Sequence, residues 1–508
     1  MRNYYRRSLL IISFIFLIGI SVPIISARAQ TVGYDWSGPE RLSNKGTNAS
    51  EGVMVSDQYG YVHTIWIETG LIPERAVILY SRFDGTFWLP PIDIRVGSGG
   101  VIPYLSAAVD SKGYLHLLWN EGVTGPVFYT YAPAYGAQSV QNWAPIIQIQ
   151  IPAAKLKILV DENDIIHIFY AEIYSERPGV YYISSSDEGD TWTEPIWIDP
   201  DIPESYVPQD IQFEMGDSGW LHAVWYYIDL DGGGGKWIRY AHSVDGGESW
   251  STPFTIDIAD DAIDELRLPH PELAVEGKNV HIVYAGDSET HREYRYSSDG
   301  GKTWQPVRRI LGNLVGQALG GGLEIDSSGR VHYFAQIRYP QGIYHGIWED
   351  GQWSIPELIY LISLNADDEF AGRIHAHNVR LAIREGKQLV VSFTDSPGVP
   401  NGGLYVMTRT MEDIPALQLL PLPTEAELSS GITLTLTPTL TPIGDSSEDV
   451  AEPEPTRQPA AGGNVDAGTS GSLTTPGNMV FFALAPILLF VLGILVFQLI
   501  RKLTRTSA

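Results

Sequence analysis

The sequence predicts an all-β protein, a seven-bladed β-propeller, and three observations predict it. An octapeptide, Ser-x-Asp-x-Gly-x-(Ser/Thr)-Trp, occurs three times. A Trp followed shortly by Pro recurs at roughly 50-residue intervals, the length of one four-stranded blade. Between these lies a recurring segment, Asp-x-x-Gly-x-(Val/Leu)-His-x-x-(Trp/Tyr). Repeats of this period decide the architecture before any single residue is weighed.

The octapeptide copies are Ser185 to Trp192, Ser243 to Trp250 and Ser297 to Trp304. Each follows a Tyr-rich apolar run and precedes a Pro and a second apolar run, which is the pattern of a β-hairpin. Asp187, Asp245 and Asp299 can accept bonds from turn amides, and Gly189, Gly247 and Gly301 can take positive φ. Trp192, Trp250 and Trp304 then anchor the turn. These nine residues are expected to be structural.

The His-bearing segment is clearest at Asp57–Trp66, Asp110–Trp119 and Asp217–Trp225, with His63, His116 and His222. Looser copies carry His167, His281 and His332, and a copy without His runs from Arg384 to Phe393. The order of elements gives strands A to D. Strand A ends at the Asp-x-x-Gly turn and strand B carries the His. Strand C carries Tyr80, Tyr129, Tyr182, Tyr240, Tyr294, Tyr344 and Tyr405, and strand D begins at the Trp. The histidines are expected to be satisfied core residues rather than metal ligands, since a metal needs several ligands on one centre.

The last unit lacks a Trp-Pro strand, and the chain starts with an orphan one, Asp35 to Pro39. The N-terminal strand is therefore expected to close the ring as strand D of the last blade, leaving no open edge. The alternative is a six-bladed ring plus an irregular seventh unit.

The octapeptide resembles the Asp-box, or BNR repeat, of sialidase-like β-propellers. The resemblance covers most of residues 30–411 but is specific only for the repeat. It implies that the Asp-box acids are remote from any substrate. Sialidases use three arginines on the sugar carboxylate, a Tyr nucleophile paired with a Glu, and an Asp acid/base. Their early Arg-Ile-Pro motif is absent, the nearest string being Ile72-Pro73-Glu74-Arg75. The sialidase ring has six blades. None of the family's catalytic residues is carried over to a position here.

Residues 1–29 read as a signal peptide. Arg2, Arg6 and Arg7 precede the apolar run Leu9–Ile25, and Ala27-Arg28-Ala29 fits a cleavage site. The propeller is placed at 30–411. Residues 412–478, rich in Thr, Pro, Ser and acids, read as a disordered stalk. Residues 479–500 form an apolar run long enough to span a bilayer. Residues 501–508 carry Arg501, Lys502 and Arg505 and read as a cytoplasmic basic tail. The expected location is a single-pass cell-membrane protein with an extracellular propeller, on a bacterial or archaeal cell surface. There is no Cys, which excludes disulfides and a lipidated cysteine. The net charge of −27 excludes nucleic acid as a partner.

Strand order puts the A–B turns and octapeptides on one face and the D–A and B–C loops on the other. The second face is the candidate functional one. Candidate catalytic acids are Glu68, Glu121, Glu172, Asp210 and Glu272, with Asp287 and Asp395 in equivalent places. Candidate ligand-binding residues are Arg75, Arg177, Arg239, Arg292, Arg338 and Arg373. The long D–A loops add His270, His375 and His377. Acids, Arg and the abundant Trp and Tyr (14 and 27) suit a carbohydrate site. Such loops are also often plain solvated ion pairs. No cofactor is expected. Asp229-Leu230-Asp231-Gly232 offers carboxylates to calcium, but its spacing matches no known calcium loop.

The first reading of function is glycan or cell-surface-protein recognition without catalysis. The alternatives are a glycoside hydrolase, sialidase-like or acting on a neutral polysaccharide through paired carboxylates, and an envelope scaffold. Fold alone does not choose among them.

Overall fold

The computed structural model describes residues 35–423, except 100, 124, 204, 217–218, 231–233, 259–268, 287–290, 317–319, 339, 362–375 and 396–402. The segments read from sequence as signal peptide, stalk beyond 423, membrane span and basic tail lie outside the described residues.

The described residues form seven antiparallel sheets. Blade 1 is typical: Asn48–Ser56, Val62–Ile72, Arg75–Phe83 and Ile92–Val96 run side by side as strands A to D. The innermost strands of the seven blades are Asn48–Ser56, Tyr104–Val109, Lys155–Val160, Tyr206–Met215, Glu272–Glu276, Gly322–Ile325 and Ala376–Arg384. Each packs against the next, and the last against the first, so the ring is closed. Blade 7 obtains its outer strand from the N-terminus: Glu40 pairs with Val406 and Arg41 with Tyr405. Ser37 donates its amide to Thr408 at 2.9 Å. Seven blades and this closure agree with the sequence reading.

Packing lies between blades. Ile65, Ile67, Ile78 and Tyr80 of blade 1 meet Leu105, Leu115, Leu117 and Trp119 of blade 2 in one cluster, and the other interfaces repeat the arrangement. Face-to-face burial of twisted sheets supplies most of the stabilisation.

Two expectations shift in detail. Strand D begins four residues after the Trp, as at Trp250 and Phe254–Ile258 or Trp304 and Arg308–Ile310. The Trp is a corner plug, and the intervening Pro has no amide for the ladder. In blade 6 the place of the strand C Tyr belongs to His345, not Tyr344. Phe334 pairs with His345 there as Ile65 pairs with Tyr80 in blade 1, and His332 Nδ1 meets His345 Nε2 at 2.9 Å.

Each histidine has an Nδ1 partner within its blade, while Nε2 of His167 and of His222 is buried without a hydrogen bond among the described residues. Nδ1 of His63, His116, His167, His222 and His281 meets the hydroxyl of Tyr80, Tyr129, Tyr182, Tyr240 and Tyr294 at 2.6–2.8 Å. In blades 1, 2 and 6 the other ring nitrogen faces Asp57, Asp110 or Asp326 at 2.9–3.1 Å. The same aspartates accept turn amides, as Asp57 does from Tyr59 and Tyr61. Burial pushes His222 and His281 down to about 3.

The octapeptides behave as turn locks. Asp299 accepts the Thr303 amide at 2.8 Å and its hydroxyl at 2.6 Å, while Trp304 Nε1 donates to Gly301 O at 3.1 Å. Asp187 and Asp245 bond in the same way. Gly189, Gly247 and Gly301 have φ of 92°, 94° and 82°. A Cβ there would strike Tyr129, Tyr182 or Tyr240 of the preceding blade. The Tyr that satisfies one blade's His therefore also seats the next blade's turn; Tyr182 donates to Gly246 O at 3.1 Å.

Candidate site at the mouth of the central channel

The innermost strands enclose a channel of about 730 Å³. Its wall is largely polar, because charged residues interrupt strand A in several blades. Lys157, Gln212, Glu214, Glu272, Glu324 and Arg380 all line it. The end nearest the start of each A strand faces the D–A and B–C loops, and there two groups of residues come together.

The first group spans blades 2 to 5. Lys155 Nζ lies 3.1 Å from Asp210 Oδ1 and 4.2 Å from the ring centroid of Tyr104. His270 Nδ1 makes a short bond to Asp210 Oδ2. The His270 ring is held edge-on by Tyr226 at 6.2 Å. Burial alone would raise Asp210, but Lys155 and His270 outweigh it and hold its carboxyl far below the usual range. Burial opposes the Lys155 charge, yet Tyr104 and Asp210 keep its ammonium above the usual range.

Positive φ marks the same pair. Asp210 sits in a β-bulge between Gln209 and Gln212 with φ 32°, and His270 has φ 42°. Asp and His are among the non-glycine residues that take this region most readily, and Asn378, in the matching bulge of blade 7, takes it too at φ 51°. The bulge turns the Asp210 carboxylate onto His270 from the neighbouring blade.

The second group spans blades 3 to 7. Gln212 donates to Glu272 Oε2 at 3.1 Å. The other Glu272 oxygen lies over Gly320, where any side chain would collide with it. Burial pushes Glu272 up to about 7 against the pull of Arg380 and Lys157. Glu214 rises to about 7 through burial and the Glu272 charge, with Lys157 opposing. Burial and Glu214 push Glu324 up to about 8. The Glu324 side chain is exposed to the channel, although protein surrounds it. Arg380 donates to Gly52 O of blade 1 at 3.0 Å, which fixes its stem at the wall.

Of the sequence candidates, Glu272 lines the channel, and Asp210 stands near it through its bond to His270, two residues before Glu272. Both lie inside A strands rather than in the D–A loops. Glu68 is fully buried and binds Asn44, Thr47 and Trp66 at 2.8–3.1 Å, holding its D–A loop in place. Glu121 does the same for Ser98, with Arg95 at 3.2 Å. Glu172 is half-buried and raised by burial. Arg239 clamps Asp199 at 3.1 and 3.3 Å and reaches Thr255. Arg292 is buried and donates to Tyr333 at 3.1 Å, and Arg338 is half-buried against Gly316. Arg75 and Arg177 are exposed in the B–C region. Arg373, Asp287 and His375 lie outside the described residues, as do the side chains of His377 and Asp395.

Lys155, Lys157, Gln212, Glu214, Glu324 and Arg380 were not among the sequence candidates. Their signal was a charge or amide inside strand A, in Lys-Leu-Lys-Ile or Gln-Phe-Glu-Met, where other blades carry apolar or small residues. Among the described residues no group of three or more His, Asp or Glu side chains is placed to hold a metal ion. A second concavity, about 690 Å³, lies beside Asp35 and Arg409 at the outer rim. Its Arg409 is engaged by Glu357 at 2.7 Å.

No protein-family model matches the chain, and no curated protein matches it in sequence. Solved structures similar to it include the polysaccharide lyase Uly1, 11% identical, covering 77% of this chain and 94% of that one, with a TM-score of 0.48. The GH93 α-L-arabinofuranosidase of Fusarium graminearum is 12% identical, covering 62% and 94%, with a TM-score of 0.42. The Trypanosoma rangeli sialidase is 12% identical, covering 74% and 59%, with a TM-score of 0.40.

Proposed function

We propose that the channel mouth is a carbohydrate-recognition site on a propeller displayed outside the cell by a C-terminal membrane anchor. The observation that carries the site is the inter-blade Asp210–His270 pair, held with Lys155 and Tyr104 on the loop side of the ring, next to Glu272 in the wall of the polar channel. Fixed acids, amides, cations and aromatic edges around a concavity are what hydroxyl-rich ligands need. The likeness of the octapeptide turns to Asp-boxes supports the same reading. The anchor rests on the apolar run 479–500 and the leader-like residues 1–29.

A second reading, glycosidic bond cleavage, is favoured by one specific observation. Two carboxyls at one mouth are tuned apart. Glu272 rises to about 7 and can hold a proton near neutrality, while Asp210 stays ionised. Environments that split two carboxyls assign an acid and a base or nucleophile. Glu272 would protonate the leaving oxygen, and Asp210 would stabilise positive charge at the sugar or activate water.

The experiment is a glycan panel presented to purified protein, with bound and released sugar read by mass spectrometry. Binding without release, weakened by Asp210→Asn, supports recognition alone. Release abolished by both Asp210→Asn and Glu272→Gln supports cleavage. Neither binding nor release from any member would sink both readings.

A further inference from the structure

The chain does not leave the ring at the boundary expected at Met411. Residues 412–423 run across the octapeptide face as a strap over the closing seam. Ile414 is buried in the core between blades 6 and 7. Asp413 pairs with Arg330 at 2.7 Å, at the A–B turn of blade 6. Leu417 donates its amide to Glu385 O at 2.9 Å, at the A–B turn of blade 7, and Leu420 donates to Gln58 O at 2.8 Å, at that of blade 1. Leu417 also lines the base of the channel, and Leu419 packs on Gly60.

Those three blades flank the one place where the ring is held without covalent continuity. Every other outer strand follows its own strand C through a short turn. In blade 7 it comes from the far end of the chain and pairs at only two positions. Closing so long a loop is entropically costly, and contacts that close it are the first to open.

We propose that residues 412–423 are a latch: they tie blades 6, 7 and 1 together across the seam and seat Leu417 at the channel base. Release of the strap is then the local opening that loosens the seam and unblocks that end of the channel. Blades 3 and 4, on the far side of the ring, are untouched by it.

The test uses the full chain with Leu417→Pro and Leu420→Pro, which remove the two amide donors and leave every blade residue in place. Amide exchange should rise on the order of ten-fold at the A–B turns of blades 6, 7 and 1 and at the Ser37 and Leu42 amides. Exchange in blades 3 and 4 should not move. Leu419→Ala, which leaves the backbone bonds intact, should give a smaller rise at the same places, and it keeps the test open if the double variant unfolds. The chain has no Cys, so Val55→Cys in the channel wall gives a thiol without background. Its maleimide labelling should quicken several-fold when the strap is released. Unchanged exchange at the seam, or an equal rise in all blades, would overturn the latch. Unchanged labelling would overturn its role at the channel base.

Discussion

Asp–His pairs stand at both ends of the innermost strands, and they differ in kind. At the turn face, Asp57–His63, Asp110–His116 and Asp326–His332 repeat one geometry within a blade, fully packed, with the His on regular extended backbone. On the loop side, Asp210–His270 is, among the described residues, without a copy in another blade; it joins two blades and has both residues at positive φ. The repeated pair is scaffold, because three blades carry it in the same packed geometry. The inter-blade pair is partly water-accessible and set beside other charges, which a scaffold does not require. In a repeat protein, departure from the repeat is the mark of the site.

The largest expected effect tests that contrast at the mouth. Asp210→Asn should lower glycan affinity, or release if the protein cleaves, by about 100-fold or more, as removal of a positioned charged group does. Titration calorimetry or released-sugar kinetics reads it. A loss under about three-fold would place Asp210 with the scaffold.

Asp326→Ala attacks the repeated pair. It strips partners from the buried His332 and from the Ser328 and Arg330 amides. Urea unfolding should show a loss of about 2–3 kcal/mol, with glycan affinity unchanged in the folded fraction. An affinity change larger than the stability change would blur the distinction between the two ends.

Gly301→Ala probes the octapeptide side alone. The new Cβ meets Tyr240 and sits at φ 82°, so a cost of about 1–2 kcal/mol is expected. The melting temperature should drop and the ligand should not notice.

Glu324→Gln should give the smallest effect, visible only through pH. Glu324, Glu214 and Glu272 have folded pKa values raised to about 7 to 8. Stability from groups raised in this way is complete below about pH 4.5 and is lost as pH rises through the folded value. The Gln variant should therefore match wild type at pH 5 and melt roughly 1–2 °C higher at pH 8.5, the gain being limited by channel water. His222 and His281, depressed to about 3, act in the opposite sense: their stability is present above the ordinary His value and lost as pH falls. A Gln variant equally stabilised at both pH values would show that the channel carboxyls do not titrate as a group.

The fold was legible because its signals are local. Trp304 and Asp299 report a turn within eight residues, and the orphan Trp36 reports the closure. The site was half legible. Asp210 and Glu272 could be named from their place before or at strand A. Lys157 and Glu324 could not, since their meeting depends on blades 3 and 6 facing one another across the axis, which no short window of sequence contains. Glu68 and Glu121 have the residue type and position of a site, yet they are consumed by loop amides. The difference lies in the surrounding donors, not in the acids themselves.

The closing strand sets an order on biosynthesis. The Thr408 amide meets the Ser37 hydroxyl across 371 positions of chain. A chain made from its N-terminus must therefore carry its first strand unpaired while six blades are built behind it. Non-local pairing of this kind slows folding and leaves an exposed strand in the interim. Here that strand is short and bears Glu40 and Arg41, and charge on a waiting edge is what keeps it from pairing with a neighbour. Ring closure is the final event, and the channel gains its last wall only after the seventh blade has arrived.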